Sequence, residues 1–440
     1  MKKQTILIAL LSFFAISSFG QTKKWSLEEC VSYALQNNIS IKQSELDIKD
    51  TKVDDLEAKS SFLPTLNANA NYNVNTGANI NPTTNQFSNE TFKSFSSGAS
   101  AGINLFSGLR NWKNVQRVKL NAIATSYKLD KMKDDISLNI ANAYLQILFN
   151  KEQLKVIQNQ KNITQENINR TKELIEAGTL PKGDMYELEA TLANQEQQYV
   201  TAENTLFIAK INLAQILNLK DYSSFDIADT DYSVKPTVVL EEKPETILSK
   251  AKSIVKDIKI ASSNLEIAKK DVEVARSSYY PTLSAFLGYN NRWSSNFPMS
   301  FMDQITLFDG TAYGLQLNVP ILNGLASRTR VMRSKQNVER TNLLLQQSEL
   351  DLERNVYQAY NDVLNAKKTY ESALKTLEAR QKANEFSKDR YEVGMLNAFD
   401  YSQSTSALEN AQSELLRTKY DYIFRTKILE FYFGIPIIQK

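Results

Sequence analysis

Histidine is absent from the 440-residue sequence, and there is a single cysteine, Cys30. The lack of histidine excludes Ser-His catalytic triads, histidine-ligated metals and imidazole acid–base chemistry. One cysteine cannot form an intrachain disulfide, a thiolate zinc site or an iron–sulfur cluster. The scattered carboxylates and aromatic residues form no constellation of nucleophile, acid and base. The sequence therefore predicts neither an enzyme nor a cofactor site.

Glycine and proline are also scarce, with 13 and 9 residues, about two-fifths of average usage. Few turns are available, so the elements between them must be long. The formal net charge is only +3, from 52 Lys+Arg against 49 Asp+Glu. Because nucleic-acid binding depends on clustered cations, this balance gives no electrostatic basis for a nucleic-acid partner.

The N-terminus has the pattern of an export signal. Two lysines precede an apolar run from Ile6 to about Ile16, and small residues follow at Ser18 and Gly20. This order predicts a secretory signal peptide at residues 1–20. The run is shorter than the roughly 20 apolar residues of a membrane-spanning helix. No later segment is apolar enough for such a helix, so any membrane insertion would have to be by β-strands.

The sequence repeats itself with a period of about 216 residues. Phe-Leu-Pro-Thr-Leu beginning at Phe62 recurs as Tyr-Tyr-Pro-Thr-Leu at Tyr279, and Leu-Phe-Ser-Gly-Leu at Leu105 recurs as Ile-Leu-Asn-Gly-Leu at Ile321. Matches in one order and at one spacing indicate a duplication. The predicted organisation is a first repeat at 21–219, a linker with two prolines at 220–244 and a second repeat at 245–440.

Each repeat is predicted to contain a helix, a strand, a long loop, a strand, a very long helix, a tight turn and a helix. No glycine or proline occurs between Gly108 and Gly178, and apolar residues there step by three and four, the helical period. About 65 helical residues would form a rod of about 100 Å. The tight turns are predicted at 177–184 and 393–400. The helices alone slightly favour an exposed coiled coil or filament subunit.

Residues 66–75 alternate strictly between two kinds of side chain. One face carries Leu66, Ala68, Ala70, Tyr72 and Val74, and the other carries Asn67, Asn69, Asn71, Asn73 and Asn75. This is period-2 alternation over about the 9–11 residues of a transmembrane strand. Weaker alternation follows in the partner strands. The four predicted strands are 65–75 paired with 97–106, and 282–290 paired with 312–319.

An ordinary half-buried antiparallel sheet is the alternative for these strands. Their almost uncharged polar faces and the long polar loops at roughly 76–96 and 291–312 favour a wet lumen instead. A sheet in a bilayer leaves no edge unpaired, and four strands are too few, since the smallest barrels have about eight. The predicted fold is therefore mainly α with a membrane β-barrel. A homotrimer supplies twelve strands, and long helices from each duplicated protomer continue the barrel as an α-helical barrel.

The duplication, the proline-led strands, the glycine-ended strands and the helical hairpins together resemble the TolC-like outer-membrane efflux family over essentially the whole mature chain. Residues 25–38 resemble its N-terminal pattern, with Cys30 where alanine is usual. Residues 390–394 followed by Asp400 resemble its C-terminal turn. The resemblance implies a homotrimer in the outer membrane of a Gram-negative cell, contacting outer-membrane lipid. It further implies a periplasmic α-barrel with an equatorial belt at 220–244, docked to a periplasmic adaptor and an inner-membrane pump of the RND or ABC type.

The resemblance also implies roles at the turns. Asp184 and Asp400 match positions near the pore constriction, Tyr391 matches a gate tyrosine, and an acidic ring there would favour cations. Helix capping is the alternative for both aspartates, because Asp184 with Glu187 and Asp400 with Gln403 each resemble a capping box.

Two positions depart from the family's gate pattern. Leu396 stands where an arginine would pair across helices, and Gln403 stands where a second aspartate would line the pore. We therefore expect closure to depend more on helix packing, with Asp184, Glu187 and Asp400 retaining some acidity.

Adaptor docking is predicted at the exposed tips, where small and apolar residues could receive a helical hairpin of the partner. The candidate residues are Leu174, Gly178, Val393 and Gly394. The alternative for both glycines is that they simply end helices.

The predicted function is the outer-membrane channel of a tripartite efflux or type I secretion system. The channel would be a passive conduit from the periplasmic adaptor and pump to the exterior. The alternative is a secreted or surface coiled-coil structural or interaction protein without a channel. That alternative accounts for the helices but not for four aligned alternating strands.

Overall fold

The computed structural model describes residues 24–80, 85–222, 224–229, 234 and 237–436. The predicted signal peptide lies outside them. The β-strands are β1 Lys24–Trp25, β2 Thr65–Asn75, β3 Ala78–Ile80, β4 Phe87–Asn89, β5 Phe92–Ser107, β6 Asp226–Ile227, β7 Thr282–Ser294 and β8 Gly310–Asn318. The α-helices are α1 Leu27–Asn37, α2 Ile39–Ser60, α3 Arg110–Glu176, α4 Gly183–Ile216, α5 Pro244–Ile254, α6 Lys256–Arg276, α7 Phe301–Leu307, α8 Ala326–Glu392 and α9 Ala398–Phe433.

The chain divides into two compact units, and each unit combines segments of both repeats. The helical unit takes its described residues from Met1–Ser44, Leu129–Lys256 and Glu349–Lys440. The sheet unit contains Glu45–Lys128 and Asp257–Ser348.

The sheet unit is built on one antiparallel sheet with the strand order β2-β5-β7-β8. Its central pair, β5 and β7, joins the first repeat to the second. β5 begins at Phe92, earlier than expected, and β7 continues to Ser294. The segments predicted as loops contain further elements, namely the β3–β4 hairpin and the seven-residue helix α7.

The strand register separates the two faces of the sheet by polarity. Residues directly opposite one another in antiparallel strands lie on the same face. One row across the sheet is Leu66, Ala101, Leu287 and Tyr313, and the adjacent row on the other face is Asn67, Ser100, Gly288 and Ala312. One face is thus mainly apolar, and the other consists mainly of small uncharged residues, with exceptions such as Phe286.

Much of the apolar face is exposed in the single chain. Leu66 is 76% exposed, Tyr313 is 81% exposed and Leu315 is 67% exposed. Within the described residues, β2 and β8 each pair with a strand on one side only, so the sheet is open. An exposed apolar face and two unpaired strand edges are both unfavourable for an isolated chain in water.

In each repeat, two left-handed residues lie between a strand, β5 or β8, and the long helix that follows it. Gly108 has φ of 63° and Leu109 has φ of 65°, while Gly324 and Leu325 have φ of 58° and 65°. A Cβ atom at Gly108 would lie 2.6 Å from the carbonyl oxygen of Ser277, so backbone proximity as well as φ requires glycine there. The long helices α3 and α8 that follow both contain 67 residues.

In the helical unit, α1 begins with a capping box, in which the Ser26 side chain accepts from the Glu29 N–H and the Glu29 side chain accepts from the Ser26 N–H. Cys30 on this helix is fully buried in a core with Tyr144 and Leu213. Among the described residues, none of the helices combines the length and apolar character needed to cross a membrane.

The short parallel pair β1–β6 is fastened to α3 and α4 by ion pairs. Lys151 lies 2.9 Å from both Asp226 and Asp229, Lys210 lies 3.0 Å from Asp226, and Lys24 lies 2.7 Å from Asp229. We call these five residues the belt network. Hydrogen bonds, first from Lys24 and then from Lys151, lower the pKa of Asp229 to about 2.

Candidate functional site at the hairpin turns

The candidate site lies in the helical unit, where two antiparallel helical hairpins reverse direction. α3 ends at Glu176 and α4 begins at Gly183. α8 ends at Glu392 and α9 begins at Ala398. The turns therefore comprise residues 177–182 and 393–397, and both are shorter at their C-terminal ends than the sequence predicted.

Both turns begin with the same backbone conformation. Gly178 and Gly394 have φ of 74° and 75°, in the left-handed region. The next N–H in each turn reaches back to the helix, from Thr179 to the Leu174 carbonyl (3.0 Å) and from Met395 to the Arg390 carbonyl (2.8 Å). These are Schellman ends, so the role of both glycines in ending helices is confirmed. Their role in docking stays a prediction.

The expected capping boxes at Asp184 and Asp400 are wrong. α4 begins one residue before Asp184, and no side chain caps it. The N-cap of α9 is Asn397, whose Oδ1 accepts from the Asp400 N–H at 2.8 Å and whose Nδ2 donates to Asp400 Oδ2 at 3.1 Å. Both aspartates lie in the first turn of their helices, where a negative charge is favoured by the helix dipole.

A small apolar core joins the two hairpins just inside the turns, and we call it the tip cluster. Its buried members are Ile168, Leu188, Tyr391, Ala398 and Tyr401, with Leu180, Leu192 and Leu396 packed against them. The rings of Tyr391 and Tyr401 stack with centroids 4.8 Å apart. Leu396, at the position where the resemblance implies an arginine, thus contributes apolar packing.

Polar contacts inside the tip cluster also cross between the hairpins. The Tyr391 and Thr171 hydroxyls lie 2.8 Å apart in a buried hydrogen bond, and Asn167 Nδ2 donates to the Tyr401 hydroxyl at 3.3 Å. Burial raises the pKa of Tyr391, and the charge of Asp184 adds to this, while the Thr171 hydrogen bond opposes it. Tyr391 therefore stays neutral at physiological pH.

Further contacts extend this connection along the helices. Arg170 Nη1 lies 2.9 Å from Glu392 Oε1, and the hydroxyls of Thr191 and Ser402 lie 2.8 Å apart. Tyr391 was predicted from the sequence, but its partners across the hairpins were not. The missing information is which helix faces which, and no local pattern carries it.

The predicted acidic and amide residues differ in exposure. Asp400 and Gln403 are exposed, whereas Asp184 and Glu187 are half-buried. Asp184 is close enough to Tyr391 to act on it electrostatically. The four residues remain candidates for a ring contributed by several chains.

The turns and the first turns of the helices after them present exposed apolar side chains to solvent. Val393 is 68% exposed and Met395 is 72% exposed, while Phe399 and Tyr186 are exposed by more than half. Val393 was predicted from the sequence, and the other three were not. A large apolar residue beside the helix-ending Gly394 was the available signal for Met395. Leu174, the remaining docking candidate, is half-buried.

Comparisons with known proteins agree on one family. The family model described as "Outer membrane efflux protein" matches residues 30–219 and 247–434. Outer membrane protein TolC of Vibrio cholerae is 24% identical over 379 residues, which cover 83% of this chain and 81% of that protein.

Two solved structures share the fold. A membrane protein from Pseudomonas aeruginosa matches with a TM-score of 0.77 at 16% identity, covering 93% of this chain and 90% of that chain. The CmeC outer membrane channel of Campylobacter jejuni matches with a TM-score of 0.73 at 18% identity, covering 93% and 85%. The ranges matched by the family model contain both hairpin turns and all four strands of the main sheet. The chain belongs to the outer membrane efflux protein family.

Proposed function

We propose that three copies of this outer-membrane efflux channel assemble around one passage across the outer membrane of a Gram-negative cell. The observation that carries the proposal is the open sheet, with its exposed apolar face, its small polar face and its unpaired edges. Pairing β8 of one copy with β2 of the next would close twelve strands into a barrel. The apolar face would contact lipid and the polar face would line the lumen.

The unpaired backbone groups at the edges of the sheet support closure of the strands into a barrel. In a bilayer, each unsatisfied backbone group costs several kcal/mol, because no water is present to replace the missing partner. β2 contains 11 residues and β8 contains 9, and each leaves one edge unpaired within the described residues. The edges of a single chain are therefore incompatible with a membrane, whereas a ring of chains satisfies them all.

Exposed apolar residues on the long helices support lateral contacts between copies. Leu343 and Leu350, seven residues apart on α8, are 63% and 61% exposed. Val200 and Phe207, seven residues apart on α4, are also exposed. A seven-residue spacing is typical of a helix seam that packs against a neighbouring helix. Such seams would continue the barrel as a ring of helices.

The exposed turns support docking of a periplasmic adaptor. Gly178, Gly394 and the apolar side chains of Val393 and Met395 form a surface that a helical hairpin of a periplasmic adaptor could cover. An inner-membrane pump, of the RND or ABC type, would supply the energy, and the channel would be a passive conduit. Asp184, Glu187, Asp400 and Gln403 would line the constriction, with Tyr391 holding the hairpins together beside it.

The alternative of a secreted coiled-coil protein without a channel is not favoured. It leaves the alternating strands without a purpose, and the family model spans both repeats. The relatives are outer membrane channel proteins, which also favours transport over enzymatic activity.

Two neighbouring lysine substitutions on β8 test the proposal. Leu315 lies on the apolar face opposite Ala285, and Gln316 lies on the polar face opposite Ser284. A lysine facing lipid costs about 2–4 kcal/mol at the bilayer midplane, whereas a lysine in a wet lumen is tolerated. Leu315→Lys should therefore greatly reduce the amount of trimer in outer membranes. Gln316→Lys should assemble normally and shift ion selectivity towards anions.

The measurements are native mass in detergent and conductance in planar bilayers. The unsubstituted protein should have the mass of three chains and form channels. A single-chain mass, or equal tolerance of the two lysines, would contradict the proposal.

A further inference from the structure

A large pocket lies in the sheet unit, where the strands meet the long helices. Its volume is about 980 Å³. Asn104, Thr282 and Asn318 belong to its lining, and the register places all three on the polar face of the sheet. We call this space the junction pocket.

Four arginines line the junction pocket. Arg110 comes from the first turn of α3, and Arg330, Arg333 and Arg340 come from α8. At 3.6 residues per turn, the three positions on α8 lie within about 80° of one another around the helix axis. They therefore form one cationic stripe directed into the pocket, and all four side chains are exposed.

The negative charge in the pocket does not balance these arginines. Asp271 is the only carboxylate in the lining, and it lies 3.8 Å from Arg117, which is not among the lining residues. Within the described part of the chain, none of the four lining arginines forms an ion pair.

Two other cations of this region share one carboxylate. Lys113 lies 2.6 Å from Glu273, and Lys270 lies 2.9 Å from the same residue. The carboxylate of Glu273 is therefore engaged by lysines that do not line the pocket.

We propose that the junction pocket binds multiply charged soluble anions as they move through the passage. Guanidinium groups bind carboxylate and phosphate oxygens through two parallel hydrogen bonds, and several groups in one cavity favour ligands with several negative charges. The inference rests on the proposed function, because only the closed barrel makes the polar face a lumen. Three chains would then contribute twelve arginines spread over about 15 Å along the passage.

The face of the sheet on which the pocket opens favours a soluble ligand over a lipid headgroup. It opens on the polar face, whereas the apolar row of Leu66, Ala101, Leu287 and Tyr313 lies on the opposite face. Phosphates of the membrane would approach from the apolar side. Bilayers of zwitterionic lipid alone remove anionic lipid as a competitor in the test.

The test uses tripolyphosphate as a channel blocker. Current through the unsubstituted channel in zwitterionic planar bilayers should fall as tripolyphosphate is added. The double variant Arg333→Gln/Arg340→Gln removes two guanidinium groups of the stripe. It should raise the concentration for half-maximal block by about tenfold or more, because charge-assisted hydrogen bonds are lost.

A charge-matched control lies on the same helix. Arg328 and Lys335 are exposed, do not line the pocket and point away from the stripe by about half a turn. The double variant Arg328→Gln/Lys335→Gln removes the same charge and should keep the block within about twofold of the unsubstituted protein, since long-range charge is screened by salt. An equal shift in both double variants, or no block of conducting channels, would overturn the inference.

Failure of the channel itself is distinguishable. If no variant conducts, the proposed passage is wrong, and the pocket is then tested by calorimetric titration of tripolyphosphate into the detergent-purified protein. The same tenfold loss of affinity in Arg333→Gln/Arg340→Gln alone supports the site. Equal affinities in all variants exclude it.

Discussion

At the scale of single residues, replacing a glycine of the turns introduces backbone strain, and its effect on stability can be measured separately from side-chain packing. Gly394 has φ of 75°, and a Cβ atom there would meet nothing within 4 Å. Gly394→Ala therefore introduces backbone strain without a clash. A left-handed alanine costs about 1–2 kcal/mol, so the urea midpoint followed by helical circular dichroism should fall.

Gly183→Ala is the matched control for this substitution. Gly183 is the first residue of α4, has no positive φ and is equally open around its Cβ. Alanine at this position should leave the urea midpoint unchanged or raise it, with a gain of up to about 1 kcal/mol in the free energy of unfolding. Equal losses in both variants would show that the left-handed backbone is not the cause.

Two substitutions at Asp400 separate the effect of its charge from the effect of its hydrogen bond with Asn397. Asp400→Asn removes the charge but keeps an oxygen that can accept from Asn397 Nδ2, whereas Asp400→Ala removes both. If Asp400 contributes to an acidic ring, both variants should reduce the cation preference measured from reversal potentials in planar bilayers. Unchanged selectivity in both would refute a pore role and leave only the local role beside Asn397.

The residues of the turns were predicted more accurately than their contacts. The sequence located both glycines and both aspartates, because turn chemistry is local. The sequence pattern assigned the wrong N-caps, because the N-cap is set by the residue at which the helix begins, and that residue was misplaced. Asn397 lies three residues before Asp400, so the same spacing rule applied one helical turn earlier gives the observed cap.

At the scale of elements, the belt network makes the stability of the helical unit sensitive to acid. The pKa of Asp229 is lowered to about 2, so the folded state favours its ionised form. Its stabilising contribution is fully present above the ordinary carboxyl pKa near 4 and is lost as pH falls from about 4 to about 2.

Asp229→Asn should therefore flatten the acid dependence of stability. The urea midpoint of the unsubstituted protein should fall more steeply between pH 5 and pH 2.5 than that of the variant. Glu339→Gln, at an exposed carboxylate on α8, is the control and should follow the unsubstituted curve. Parallel curves for Asp229→Asn and the unsubstituted protein would contradict this role of the belt network.

The helix α7 was missed because it lies in a segment dominated by polar and aromatic residues. Its local signal was present, since the Ser300 side chain accepts from the Asp303 N–H as an N-cap. Its position depends on Gln304, which is fully buried and donates to the carbonyls of Ser294 and Met299 while accepting from the Ser294 N–H. A buried glutamine that organises a loop cannot be told from a surface glutamine by sequence alone.

At the scale of the whole molecule, the duplication gave the most information. Two copies of one pattern predicted two strand pairs, two long helices and two turns. The pattern did not predict that β5 and β7 pair across the repeats, because alternation specifies faces and not neighbours. It also missed the junction pocket, since the near-neutral total charge conceals arginines that α3 and α8 bring together.

The pairing of β5 with β7 has a consequence for biogenesis. Residues 92–107 find this partner only at residues 282–294, after both hairpin helices of the first repeat have been synthesised. Non-local pairing of this kind is slow, and an unpaired strand edge recruits other chains. The β5 edge of the first repeat therefore stays unpaired until residues 282–294 have followed it. A product terminated within the linker would carry that open edge permanently, which makes it a substrate for quality-control proteolysis.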